Sequence, residues 1–361
     1  MGWIGISDHT EGRFNANGLC ERSNDKPQKQ SVLVPKGTLL VETFLSPDGR
    51  PQTLLAFDRS HPWTGSISLK VMPNGGIVLI DTLGGNIRHA ALTHALDGRS
   101  EQVRVSYRWD APARAGKLSL EHLATNSIRS VDLSPPHPMQ LVDLQMISRF
   151  NTLRQMDRDV SFFAVSDMIE PIGPMPGLTA EVPIETPYGL VPVSRLKRGD
   201  TVFTANGDVV PILQTLKQTV PARGCLRPIL LRAPFFGLSQ DILLAPQQRL
   251  VVSGSQVEYM FGTEAASVPV RHLVNGACAY HPKGPDLVTY HHLLLPKQQT
   301  IVAAGCPMES MYIGRIRRNK EQVAASILAN FDRSRLPEHA PSIWPVLKPL
   351  EAMTLAIQRA A

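Results

Sequence analysis

In the second half of this chain the Thr179 hydroxyl, the thiols of Cys225, Cys278 and Cys306, and the imidazoles of His272, His291 and His292 are of types that can attack a carbonyl, pass a proton or hold a metal. Their spacing argues for quieter roles. A hydroxyl is a poor nucleophile unless a base activates it, so Thr179 is expected to bond to a turn. The cysteines show no Cys-x-x-Cys pairing and read as small buried hydrophobes. Neighbouring histidines on a strand point to opposite faces, which keeps His291 and His292 from readily sharing one ion. Structural roles are therefore expected for the histidines, with His272 and His292 as the candidates for proton transfer, and neither a metal nor a cofactor is expected.

The elements around these groups are short strands and turns. Pro183, Ile184, Pro187 and Gly189 frame an extended segment that reverses at Pro187-Tyr188-Gly189 and continues through Val191-Pro192-Val193. Arg195-Leu196-Lys197-Arg198-Gly199-Asp200 is a polar turn into Thr201-Val202-Phe203-Thr204, and Asn206-Gly207-Asp208 reverses the chain into Val209. Such a succession predicts a compact all-β unit.

Thr186-Pro187-Tyr188-Gly189, then Val193 to Asp200 as Val-x-x-Leu-x-x-Gly-Asp, then Val202-Phe203-Thr204 resemble, without a gap, the opening block of the hedgehog/intein (Hint) family in its bacterial form. Asp241-Ile242-Leu243-Leu244-Ala245-Pro246-Gln247-Gln248-Arg249-Leu250 resembles the family's second block. Val268-Pro269-Val270-Arg271-His272-Leu273-Val274-Asn275-Gly276 is similar to its third, and Tyr290-His291-His292-Leu293-Leu294-Leu295 with Glu309-Ser310-Met311-Tyr312 to its last. The resemblance covers residues 177 to about 314 and implies a disc-like all-β domain over 177–318.

It also implies a chemistry, protein autoprocessing by an N-to-S acyl shift. In the family a cysteine thiol at the first position attacks the carbonyl before it, and a histidine in the second block protonates the departing amine. Carried over position by position, the nucleophile site holds Gly177, with Pro176 before it, and the histidine site holds Gln248, whose amide cannot exchange a proton near neutral pH. Ala245 stands where a small hydroxyl residue is frequent, and Gln298 where a histidine is common. The resemblance thus implies the fold while the reacting groups are missing.

Ahead of this unit, residues 1–33 are polar and turn-rich and are expected to be loosely ordered; residues 34–168 read as a β-sandwich. Segments 39–45, 53–57, 66–71 and 77–82 read as strands separated by turn-forming Pro, Asn and Gly. Val103, Val105, Tyr107 and Trp109 alternate with Arg104, Ser106 and Arg108, predicting one buried and one solvated face. The order of strands over about 34–145 resembles concanavalin-like or laminin-G-like jelly rolls, which implies glycan binding through an aromatic side chain, with Trp63 as the candidate. Asp48, Asp58 and Asp81 are not spaced as a calcium site.

Residues 169–176 form a proline-rich joint, and residues 319–361 read as a helical tail, with Val323, Ile327, Leu328 and Phe331 spaced for an amphipathic helix over 320–331 and a helix or strand over 346–357. The fold class is therefore mainly β, a sandwich followed by a Hint disc and a short helical tail. A formal charge of +6 over 361 residues and the basic run at Arg315, Arg317, Arg318 and Lys320, without interleaved aromatics, argue against nucleic-acid binding. Four cysteines without framework spacing fit a reducing compartment. The first residues lack a basic stretch followed by an apolar run, and no segment approaches the roughly 18 apolar residues of a membrane span, so a cytoplasmic location is expected, with export by another route left open.

Three readings follow. The first is a Hint protein without autoprocessing activity that acts as a binding or structural module for a protein or glycan partner. The second is a self-cleaving protein with a non-standard nucleophile, and the third a carbohydrate-binding protein acting through its sandwich.

Overall fold

The computed structural model describes residues 2–20, 32–61, 64–94, 100–125, 127–133 and 135–360, and the chain divides into two compact units, Met1–Gly173 and Pro174–Ala361. Among the described residues no helix is long and apolar enough to cross a membrane.

The first unit is a two-sheet sandwich. Its larger sheet has seven antiparallel strands in the spatial order Ser127–Leu133, Ala115–His122, Glu101–Asp110, Lys36–Leu45, Val160–Ser166, Trp3–Ser7 and Gly12–Phe14. A meander of Gln52–Arg59, Gly65–Val71, Ile77–Leu83 and Asn86–Leu92 makes the smaller one. The two share a core in which Leu39, Val41, Val103, Val105, Tyr107, Trp109, Leu118 and Leu120 meet Leu55, Phe57, Leu69, Ile77 and Leu79. Trp109 keeps its buried indole satisfied by donating to the Val34 carbonyl at 3.0 Å.

Three features of this unit differ from expectation. Residues 3–7, placed in a loosely ordered segment by their polar surroundings, are a fully buried strand paired with Val160–Ser166. It forms a hairpin with Gly12–Phe14, and its other partner lies more than 150 residues away. The face bearing Ser106 and Arg108 is buried as well, and Arg104 sits between Glu42 at 3.9 Å and Glu121 at 3.7 Å. Residues 167–173 run along this face, with Gly173 N donating to Glu121 Oε1 and the Thr38 hydroxyl to the Met168 carbonyl. Finally, Leu141–Arg149 is a helix that buries Leu141, Leu144, Ile147 and Ser148 along one stripe. It fits closely because Gly12 faces it: a Cβ there would lie 1.9 Å from the Ser148 carbonyl oxygen.

The second unit holds two six-stranded sheets. One runs in the order Gln214–Pro221, Leu287–Leu294, Leu178–Thr179, Ile242–Leu244, Ile229–Leu231 and Ala279–Tyr280. The other runs Gly189–Pro192, Pro183–Thr186, Thr300–Ala303, Cys306–Glu309, Arg249–Ser253 and Ala265–Pro269, and a small hairpin pairs Thr201–Phe203 with Val209–Pro211. The turn motifs work locally. Thr186 Oγ1 donates to the Gly189 carbonyl and accepts from Tyr188 N, while Gly189 takes a φ of 103° that suits only glycine. Asp200 Oδ2 accepts from Lys197 N, closing the next turn.

The tail is only partly as expected. The helix begins at Lys320 under an Asn319 cap and stops at Ala325, because the Ser326 hydroxyl bonds to the Val323 carbonyl and accepts from Leu328 N. Val323 and Leu328 still join Leu216, Leu294, Met311, Ile313 and Leu336 in a small satellite core. Residues 346–357 are both things at once: Val346 bridges Ser267 in parallel, and Pro349–Ala360 is a helix whose Ala352, Leu355 and Ala356 enter the main core.

Candidate functional site

Gly177 lies one residue before the strand Leu178–Thr179, which is held in the interior of its sheet: Leu178 pairs with both Leu244 and His291, and Thr179 with Tyr290. Extending the antiparallel registers by one step sets Gly177 beside Ala245 and His292. The Ala245 amide donates to the Gly177 carbonyl at 2.8 Å, confirming the first of these neighbours. The backbone then turns at Pro246 and Gln247, with Gln248 N bonded to the Ala245 carbonyl, and enters Arg249–Ser253. This turn carries two amide side chains to opposite duties.

Gln248 fills the space over Gly177. A Cβ built at Gly177 would stand 2.1 Å from Gln248 Oε1, 3.1 Å from its Cδ and 3.2 Å from its Cβ. The side chain is 4% exposed and its Nε2 donates to the carbonyls of Glu309 at 3.0 Å and Arg249 at 3.3 Å. Gln247 instead reaches Pro176, donating from Nε2 to its carbonyl at 3.2 Å. That carbonyl is the one the family chemistry would attack, so Gln247 is a residue of the site that the reading of single positions missed; its place beside Gln248 on a tight turn was the available signal. Gln298 joins the same floor by donating from Nε2 to the Ser310 carbonyl, one residue on from the partner of Gln248. Glu309 is fixed in turn by the Ser267 hydroxyl at 2.6 Å and by Arg249 at 3.5 Å.

The remaining candidates are nearby but poorly equipped. Thr179 donates its hydroxyl to the Leu243 carbonyl at 2.8 Å. His292 is buried and its imidazole is pushed down to about 4 by that burial, so it is neutral near pH 7. His272 sits on the short 3-10 turn Val270–Leu273, which is tied to the site by bonds from Val270 N to Gln248 O and from Arg271 N to Pro246 O. Burial, then the adjacent Arg271 guanidinium, pushes His272 down to about 4. Burial also lowers His291, with Lys217 adding to it. Burial also disfavours the thiolate at two of the cysteines, with Cys306 pushed up to about 12 and Cys278 raised, while Cys225 is half-buried. Among the described residues no two cysteines form a disulfide. Trp63, the candidate sugar platform, lies outside the described residues.

The model of the Hint domain matches residues 176–315, the same stretch whose strands and turns carry Gly177, Gln248 and Gln298. Residues 176–315 are a Hint domain. No curated protein matches the chain. Among solved structures the chain is similar to a bacterial intein-like domain from Clostridium thermocellum, at 14% identity and a TM-score of 0.28, covering 38% of this chain and 99% of that one. It is similar to the CBM40 of the Ruminococcus gnavus IT-sialidase at 12% identity and a TM-score of 0.27, covering 37% and 77%. The LG1-3 region of the laminin alpha2 chain is similar at 10% identity and a TM-score of 0.26, covering 80% and 55%.

Within the Hint domain, then, Gly177, Ala245 and Gln248 lie together, and the glutamine side chains around them form amide-to-carbonyl hydrogen bonds. None of the amides can take up or release a proton near neutral pH, and glycine offers no nucleophile.

Proposed function

We propose that the Hint domain of this chain does not process itself and serves as a folded binding or structural module, with a protein or glycan as its partner. The observation that carries this reading is Gln248 lying over Gly177, its Oε1 2.1 Å from where a side chain at position 177 would begin. The site is closed by a side chain that is itself anchored to two carbonyls, so a nucleophile would have to displace it before attacking Pro176. Thr179, an alternative nucleophile, is bonded to Leu243 O, and the imidazoles of His272 and His292 are neutral near pH 7, so neither is the imidazolium acid that would readily protonate a departing amine.

The test is the mass of the intact protein after prolonged incubation with and without added thiol. A single species at 39.6 kDa is expected. A product split beside Pro176 would overturn the proposal and favour a non-standard nucleophile. The double variant Gly177→Cys with Gln248→His restores a thiol and an imidazole while removing the obstructing amide. Cleavage by this variant alone would show that the framework still holds the reacting geometry.

A further inference from the structure

Three side chains of metal-binding type meet at one end of the sandwich. His94 lies two residues past the strand Asn86–Leu92, Glu101 opens Glu101–Asp110, and His122 closes Ala115–His122. Each stands in step with the core-facing positions of its strand. Ala90 and Leu92 precede His94, Val103 and Val105 follow Glu101, and Leu118 and Leu120 precede His122; all six are buried. Where alternation would place one more apolar residue, two imidazoles and a carboxylate stand instead, and they come from both sheets.

Their geometry suits a cation. His94 Nε2 is 3.1 Å and His122 Nδ1 3.4 Å from the same oxygen, Glu101 Oε2, and all three ligand atoms lie within 4.8 Å of one another. With metal–nitrogen and metal–oxygen bonds of about 2.0–2.2 Å, the edge of a ligand tetrahedron is about 3.3 Å, so two of the three edges are at that length. The two rings are tilted by 46° with centroids 4.6 Å apart, and His94 is only 6% exposed. Its Nδ1 is buried without a partner among the described residues, so the ring can tilt about its Nε2 contact without breaking a second bond. Two nitrogens and one carboxylate oxygen favour a borderline first-row ion over calcium or magnesium, which take all-oxygen shells, and leave a fourth position for water.

We propose that His94, Glu101 and His122 bind a divalent transition-metal ion of the zinc class, which clamps the two sheets together at this end. The full-length protein, stripped with a chelator, is titrated with zinc chloride by calorimetry and thermal melting, and with cobalt chloride by visible absorption. One equivalent is expected to bind at this site, to raise the melting temperature progressively with zinc concentration, and with cobalt to give the absorption of a four-coordinate ion. Glu101→Gln, which keeps the shape and most of the hydrogen bonding, and His94→Ala are each expected to weaken binding by at least about tenfold. His89→Ala, exposed on the adjacent strand, is expected to leave it unchanged. An unshifted melt at roughly a hundredfold zinc excess, no four-coordinate cobalt spectrum, or equal affinity in the parent and Glu101→Gln would each overturn the proposal. Should His94→Ala not fold, the cobalt spectrum of the parent and of Glu101→Gln decides.

Discussion

The surroundings of Gly177 and the sandwich end at Glu101 differ in what each part of the chain has kept. Around Gly177 the framework is present: the Thr186 and Asp200 turns are closed, and the central strand Leu178–Thr179 sets Gly177 beside Ala245 and Gln248. The glutamine side chains there donate only to carbonyls. At the sandwich end no motif marks the spot, yet two imidazoles converge on one carboxylate. The difference teaches that residues which set backbone geometry and residues which react are separable. A family motif made of turn formers reports the first kind faithfully and the second hardly at all.

The comparison can be broken most directly at Gly177. Gly177→Ala is expected to destabilise the protein by about 2 kcal/mol in urea melts, because the new methyl overpacks against Gln248. Against a Gln248→Ala background the same change is expected to cost little, giving a coupling of similar size in a double-mutant cycle. Equal costs in both backgrounds would mean that the amide does not occupy the site. A somewhat smaller effect is expected from His292. Its folded-state value is depressed to about 4, below the about 6.5 of an unfolded chain, so the unfolded state takes up a proton first as the pH falls. Its contribution to stability is complete above about pH 6.5 and declines toward pH 4. Between pH 7.5 and 5.5 the parent should lose about 1.4 kcal/mol relative to His292→Asn. Parallel pH profiles for the two proteins would mean that His292 keeps an ordinary imidazole value in the folded state, and would reopen the acid role. Smallest is the test of the retained framework: Gly189→Ala, at a φ of 103°, is expected to cost about 1 kcal/mol and to leave the chain uncleaved.

What could be read from the sequence was what is local. The turns at Thr186 and Asp200 are closed by side chains two or three residues from their partners, and the alternation from Val103 to Trp109 describes one strand. Each is a short-range fact, and each appears as expected, apart from the second buried face at Ser106 and Arg108. Tertiary pairing was not legible. Trp3–Ser7 is an interior strand because Val160–Ser166 lies on its other side from Gly12–Phe14, and the tail helix ends at Ala325 because one hydroxyl competes for its backbone. The absence of a thiol at position 177 was plain from the sequence, but that Gln248 fills the space is a matter of packing. His94, Glu101 and His122 are separated by 7 and 21 residues in a chain with eleven histidines; strand pairing brings Glu101 and His122 together, and the stacking of the other sheet adds His94.

The helix Pro349–Ala360 bears on how this domain could be handled outside its parent. Leu347, Ala352, Leu355 and Ala356 share a core with Leu250, Val268 and Met308, and backbone bonds join Ser267 to Pro345 and Leu347. The stretch that matches the family ends at residue 315, well before these residues. Ancestry and autonomy therefore have different borders: a fragment excised at the edge of the family likeness would carry every inherited motif and still expose an apolar flank to solvent. Such a fragment would be prone to self-association, and an insoluble preparation would say nothing about the domain in the whole chain.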